Sequence, residues 1–175
     1  DAADATDHGN DGTATGVTFS RENGAEFNGT AKFTSYIDIP TELFNQKDQM
    51  TISFWAYDDR DGKQSNVFGF SNGTDGKGWA DPNKVNVNNM KQFYVNTNDP
   101  AGYFRVSMNP TGWKNPDGFS GESSELALAT KTWVHITAVL NGHTLTVYKD
   151  GELVGTKTIS QSVSEIGEIT LATIG

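Results

Sequence analysis

Two tryptophans sit where a large ring needs a reason. Trp79 lies in GKGWADPN and Trp113 in PTGWKNPDG, both among Gly, Asn, Asp and Pro. An apolar ring in a polar, turn-rich segment either plugs that segment onto the protein or meets a ligand. The ligand it suits is a sugar, because the C–H face of a pyranose is apolar and lies flat on an aromatic ring. Neighbouring Asn, Asp and Lys side chains, Asn115 among them, would then bond the hydroxyls. Tyr94 and Tyr103 fall on the hairpin between the two loops and could share the site. Plug and platform both stand on the sequence alone.

Other chemistries find less support. There is no cysteine, so no disulfide, thiolate nucleophile or thiolate metal site can form. His8, His135 and His143 are scattered and lack the spacing of a zinc motif. His135 alternates along a strand and reads as structural, whereas His143 follows a turn and reads as exposed. A retaining glycosidase needs two carboxyl groups about 5 Å apart. Here Asp38, Asp58 and Glu168 stand alone, and Glu122 and Glu125 lie in the loop GESSELAL. No G-x-S-x-G and no P-loop occurs, so catalysis is not expected. The net charge of −9 argues against nucleic acid and against anionic membrane surfaces. No apolar run is long enough for membrane insertion. The opening DAADATDHG has neither the charged nor the apolar region of a signal peptide. Acidic loops rich in Asp suit Ca²⁺, which takes oxygen ligands, and equally suit plain solvation.

Strands must position these segments. The best-specified stretch is Lys131 to Lys157, KTWVHITAVLNGHTLTVYKDGELVGTK. It reads as three strands in a meander: Trp133 to Leu140, His143 to Lys149 and Glu152 to Lys157. Asn141-Gly142 forms the first turn and Asp150-Gly151 the second, a type I′ signal. Val134, Ile136, Ala138 and Leu140 share one face, as do Leu145 and Val147. Earlier strands are read over Gly16 to Ser20, Ala25 to Asn28 and Lys32 to Ile39. One helical turn fits Thr41 to Asp48. Met50 to Asp58 has large residues on both faces, as in a strand buried between layers. Gln64 to Phe70, Lys91 to Thr97 and Gly102 to Met108 follow, with Ile169 to Ile174 last. Trp55 and Trp133, inside strands, are expected in the core. Ser71 to Met90 and Asn109 to Glu125 read as long loops. About eleven short strands with Gly, Asn and Asp turns point to an antiparallel sandwich or jelly roll.

Three pieces in order carry a resemblance: DHGNDGTATGV, then FNGTAKFTSYIDIP with MTISFWAYD, then KTWVHITAVLNGHTLTVYKDGELV with a closing ITLATIG. Together they resemble the laminin-G-like domains of the concanavalin A-like jelly-roll family. The resemblance implies an all-β, concanavalin A-like antiparallel β-sandwich as one domain over residues 1–175. It leaves function open, because the fold hosts many. It also implies a structural Ca²⁺ near an oxygen-rich lead-in, here Asp4, Asn10 and Asp11. Two features depart from the family. The lead-in reads Asp7-His8-Gly9-Asn10-Asp11 rather than Gly-Asn-Gly-Asn-Asp. The family's closing strand after the "iG" motif is not present, so a jelly roll without that strand is expected. The expected function is non-catalytic carbohydrate binding by a lectin-like module of a secreted or cell-surface bacterial protein with further domains. Its partner would be a polysaccharide or glycan. The alternative is a protein-recognising or spacer domain of a surface adhesin.

Overall fold

The computed structural model describes residues 1–29, 34–59, 65–73, 90–97, 104–110, 117–119 and 131–175. In chain order the strands are β1 (Thr13–Thr15), β2 (Val17–Ser20), β3 (Gly24–Phe27), β4 (Tyr36–Asp38), β5 (Gln49–Ala56), β6 (Ser65–Ser71) and β7 (Gln92–Thr97). Then come β8 (Arg105–Asn109), β9 (Asp117–Phe119), β10 (Val134–Asn141), β11 (Thr144–Lys149), β12 (Glu152–Thr158) and β13 (Leu171–Ile174). Single 3-10 turns occupy Thr41–Leu43 and Ser164–Ile166. All pairings are antiparallel. One sheet has the order β1-β4-β13-β6-β7-β8-β9 and the other β12-β11-β10-β5, with β2-β3 a separate hairpin. The expected all-β sandwich is what forms.

The core follows from period-two alternation. On β10 the residues Val134, Ile136, Ala138 and Leu140 are buried, and Leu145 and Val147 are buried beside them on β11. Opposite stand Phe68 and Phe70 of β6, Phe93 and Val95 of β7, and Val106 and Met108 of β8. Phe44, just past the first 3-10 turn, stacks on Phe70 at 4.8 Å between centroids, and Phe70 stacks on Phe93 at 5.3 Å. Each such side chain contributes roughly 1.5–3 kcal/mol on burial. β5 is the last strand of its sheet among the described residues, and its inward Met50, Ile52 and Phe54 are only partly buried.

Several expectations need correction. Trp55 and Trp133 are exposed, by 63% and 43%, rather than buried. The register explains why: Trp55 pairs with His135, and both lie on the face opposite Phe54 and Ile136. Large residues on both faces of β5 therefore mark one core face and one aromatic outer face. Asn141 pairs with Thr144, so the first meander turn is Gly142-His143, one residue later than the sequence suggests. The second turn is as expected, with Asp150 at φ 52° and Gly151 at 85°. The lead-in contributes a short strand, β1, which pairs with β4. Of the Lys32–Ile39 strand, Tyr36–Asp38 is seen, and residues 30–33 lie outside the described residues.

β9 also lay in a segment read as loop. Its Phe119 is buried, and Asp117 Oδ2 accepts the Ser160 backbone N–H at 2.5 Å. Lys157 Nζ lies 4.6 Å from the Phe119 ring centroid and donates to the Gly118 carbonyl at 2.9 Å. These contacts tie the edge of the seven-stranded sheet to β12.

Candidate functional site

Alternation gives the seven-stranded sheet a second face, and three central strands make it polar. Phe93 and Val95 point into the core, so Gln92, Tyr94 and Asn96 point away from it. Their cross-strand partners extend the pattern. Ser71, Gln92 and Asn109 form one row, Gly69, Tyr94 and Ser107 the next, and Asn66, Asn96 and Arg105 the third. A one-residue register shift between Asn66 and Phe68 brings Asn66 onto this face. Gly69 leaves room beside Tyr94: a Cβ there would lie 3.5 Å from the Tyr94 Cβ and 3.2 Å from the Phe93 carbonyl oxygen.

This grid is buried. Ser71, Gln92, Ser107 and Asn109 have no exposed surface, and Tyr94 and Asn96 almost none. Ser107 Oγ donates to Asn109 Oδ1 at 2.9 Å, and Ser71 Oγ accepts the Gly73 N–H at 3.3 Å. Gln92 Oε1 and Nε2, Asn66 Oδ1 and Asn96 Oδ1 have no hydrogen-bond partner among the described residues. Buried polar atoms in folded proteins are nearly always matched, by protein, ordered water or ligand. Four amide atoms within one grid therefore mark a place that calls for hydrogen-bonding company. Amides, which both donate and accept, are the groups that bond hydroxyls.

One end of the grid is fixed firmly. Asn72 Oδ1 accepts the Lys91 N–H at 2.8 Å, its Nδ2 donates to the Ile166 carbonyl at 3.0 Å, and Lys91 Nζ donates to the Glu165 carbonyl at 2.8 Å. From this end the segment holding Trp79 leaves β6 and returns to β7. The segment holding Trp113 and Asn115 leaves β8 at the same end, where Gln92 pairs with Asn109. Tyr103 belongs to the connection at the opposite end, before Arg105. Trp79, Tyr103, Trp113 and Asn115 lie outside the described residues. Tyr94 lies at the grid's centre and is buried, so its ring is not an open platform.

Polar residues alternating along KQFYVNT are visible in the sequence. Such alternation ordinarily marks a solvated face, and no sequence signal separates that from a buried one. That is why the sequence does not single out Gln92 and Asn96, or Asn66 on the neighbouring strand, as candidates.

The lead-in brings Asp4, Asn10 and Asp11 together as a hydrogen-bonded knot. Asp4 Oδ1 accepts from the Thr6 hydroxyl at 2.7 Å and the Thr6 N–H at 2.8 Å, and Oδ2 accepts the Asn10 N–H at 2.9 Å. Asp11 Oδ1 accepts the Asp4 N–H at 2.7 Å. The Thr6 hydroxyl is the largest of several donors that hold the Asp4 carboxyl down to about 2. Calcium requires about six to eight oxygen ligands. Here Asp4 already serves backbone donors, and no group of three acidic or histidine side chains gathers as a metal site among the described residues. The residues present fit a loop-closing role and do not make up a calcium shell.

Comparison with known proteins places this geometry. A laminin-G family model, described as the Concanavalin A-like lectin/glucanases superfamily, matches residues 28–175. No curated protein sequence matches the chain. Among solved structures, the chain is similar to domain 4 of AbnA, a GH43 extracellular arabinanase from Geobacillus stearothermophilus, solved in complex with arabinotriose. The TM-score is 0.65 at 18% identity, covering 100% of this chain and 78% of that one. It is also similar to the carbohydrate binding module CBM66 from Bacillus subtilis, with a TM-score of 0.54 at 14% identity, covering 93% of this chain and 90% of that one. At these identities the likeness is one of fold.

Proposed function

The chain belongs to the laminin-G-like branch of the concanavalin A-like lectin/glucanase superfamily, and from that premise we propose that it is a non-catalytic carbohydrate-binding module. The observation that carries the reading is the buried polar grid centred on Tyr94, with four amide atoms lacking partners among the described residues. Sugar hydroxyls, or water standing in for them, are the groups that match such amides. Further support comes from the two structural neighbours, one solved with arabinotriose and one named as a carbohydrate-binding module. The segments that carry Trp79 and Trp113 attach at one end of the grid, where their rings would add stacking surface. In this reading the module works outside the cell as part of a larger protein and delivers that protein to a polysaccharide. No described helix is long and apolar enough to cross a membrane.

Native affinity electrophoresis tests the reading, with gels containing linear arabinan or another neutral polysaccharide. The wild-type chain is expected to be retarded by at least one polymer. Trp113→Ala is expected to be clearly less retarded than wild type with an unchanged circular dichroism spectrum. Incubation with the retarding polymer is expected to release no reducing sugar. Absence of retardation on every polymer sinks the binding reading, and release of reducing ends sinks the non-catalytic one.

A further inference from the structure

The outer face of the four-stranded sheet is unlike the rest of the surface. Charged residues make up 20% of the chain. Yet the residues that point outward on β5, β10, β11 and β12 include no Asp, Glu, Lys or Arg. Threonine is the commonest type, at Thr51, Thr137, Thr144, Thr146, Thr156 and Thr158, beside serine, amides, aromatic rings and the apolar Val139 and Leu153. Cross-strand hydrogen bonds order the polar part: Ser53 Oγ lies 2.8 Å from His135 Nε2 and 3.1 Å from Thr137 Oγ1, Thr146 and Thr156 hydroxyls are 3.0 Å apart, and Gln49 Nε2 donates to Asn141 Oδ1 at 3.2 Å. At one end of β5 and β10 the face turns aromatic. Trp55 packs beside His135 at 5.0 Å between centroids, and Tyr57 beside Trp133 at 5.4 Å. Trp55, Tyr57 and Trp133 are all exposed, Trp55 most of all. The two pairs follow each other two residues along the strand, which spaces them by about 7 Å.

We propose that this face is a second carbohydrate surface, separate from the polar grid, on which an uncharged polysaccharide lies with sugar rings against Trp55 and the Tyr57–Trp133 pair. The inference takes its ligand class from the function proposed above but rests on a different face. The absence of charge selects the occupant. A face without fixed charge gives no attraction to an anionic or cationic partner, whereas hydroxyl and amide side chains match sugar hydroxyls. Ring pairing matters as well. His135 and Tyr57 hold the indoles from one side, so little side-chain freedom is lost when a sugar lands on the other. Asp150, at the rim, has its carboxylate anchored by the His135 N–H at 2.9 Å and leaves the face itself neutral.

The test compares wild type, Trp55→Thr, Trp55→Phe and Gln92→Met in gels containing linear arabinan, xyloglucan or galactomannan. Threonine keeps strand propensity, and near-UV circular dichroism with thermal melting checks the fold of each variant. Trp55→Thr is expected to weaken retardation about three- to tenfold, the range for one lost aromatic stack, with Trp55→Phe in between. Gln92→Met is expected to leave residual retardation that disappears when combined with Trp55→Thr. Unchanged retardation in Trp55→Thr, with loss in Gln92→Met, overturns the second surface and leaves the grid standing. No retardation of wild type by any polymer overturns both. Concentration-dependent dimerisation in sedimentation velocity that Trp55→Thr abolishes, with retardation unaffected, assigns the face to a second copy of the chain and overturns the proposal.

Discussion

Asp4 shows how much a single half-buried side chain organises. Its two oxygens gather three donors from Thr6 and Asn10 and draw the irregular lead-in into a closed loop. Those bonds, led by the Thr6 hydroxyl, hold its carboxyl at about 2 against the ordinary 3.8. A folded-state value below the unfolded one means that ionised Asp4 stabilises the fold. That contribution is complete above the unfolded value and is lost as pH falls through the folded one. Asp4→Asn should therefore be less stable than wild type at neutral pH, with the difference shrinking from about pH 4 to about pH 2. Urea midpoints across that range measure it. A gap that does not narrow on acidification would show that the carboxylate charge is not what the knot uses. The sequence marks Asp4, Asn10 and Asp11 as an oxygen-rich stretch, and the three are hydrogen-bonded neighbours in the fold. It could not show which N–H and hydroxyl groups Asp4 accepts from, because those donors depend on how the loop closes.

At the scale of elements, legibility tracks how local the determinants are. The meander could be read because hydrophobic alternation and the Asp150-Gly151 turn both lie within it and agree on one register. The exposure of Trp55 could not, since the side of β5 that meets a second layer depends on β6, β7 and β8, which are distant in sequence. β9 escaped for a related reason. Three residues with glycine in the middle give no strand signal, and the strand exists because Gly118 fits against β8. A Cβ on Gly118, whose φ is 134°, would sit 2.7 Å from the Val106 carbonyl oxygen and 3.0 Å from Leu145 Cδ2. Gly142, at φ 52°, has open space around it. Gly118→Ala should cost roughly 2–3 kcal/mol and Gly142→Ala about 1 kcal/mol or less. Thermal melting of the two variants gives the comparison. Equal losses would mean that β9 does not pack as tightly against β8 as described.

For the molecule as a whole, the sandwich separates its duties between layers. The core between the sheets is aromatic and aliphatic, and it supplies stability. The outer face of the seven-stranded sheet is polar and carries amides without partners among the described residues, where each unmatched group costs roughly 1–3 kcal/mol. The outer face of the four-stranded sheet presents no charged side chain from its described strands and ends in exposed rings. Family and fold class were legible in the sequence, through motifs spread over most of the chain. The division between the two outer faces was not, because it emerges only when the strands pair. Gln92 is the sharpest probe of sugar binding at the grid, since both of its amide atoms are buried without partners among the described residues. Methionine matches its shape without its polarity, and removing an unmatched amide is neutral or stabilising in a purely structural site. Isothermal titration of a retarding oligosaccharide into wild type and Gln92→Met, paired with their melting temperatures, is the decisive measurement. Affinity at least about tenfold weaker is expected, with a melting temperature equal to or above that of wild type. Unchanged affinity in Gln92→Met would contradict sugar binding at the grid.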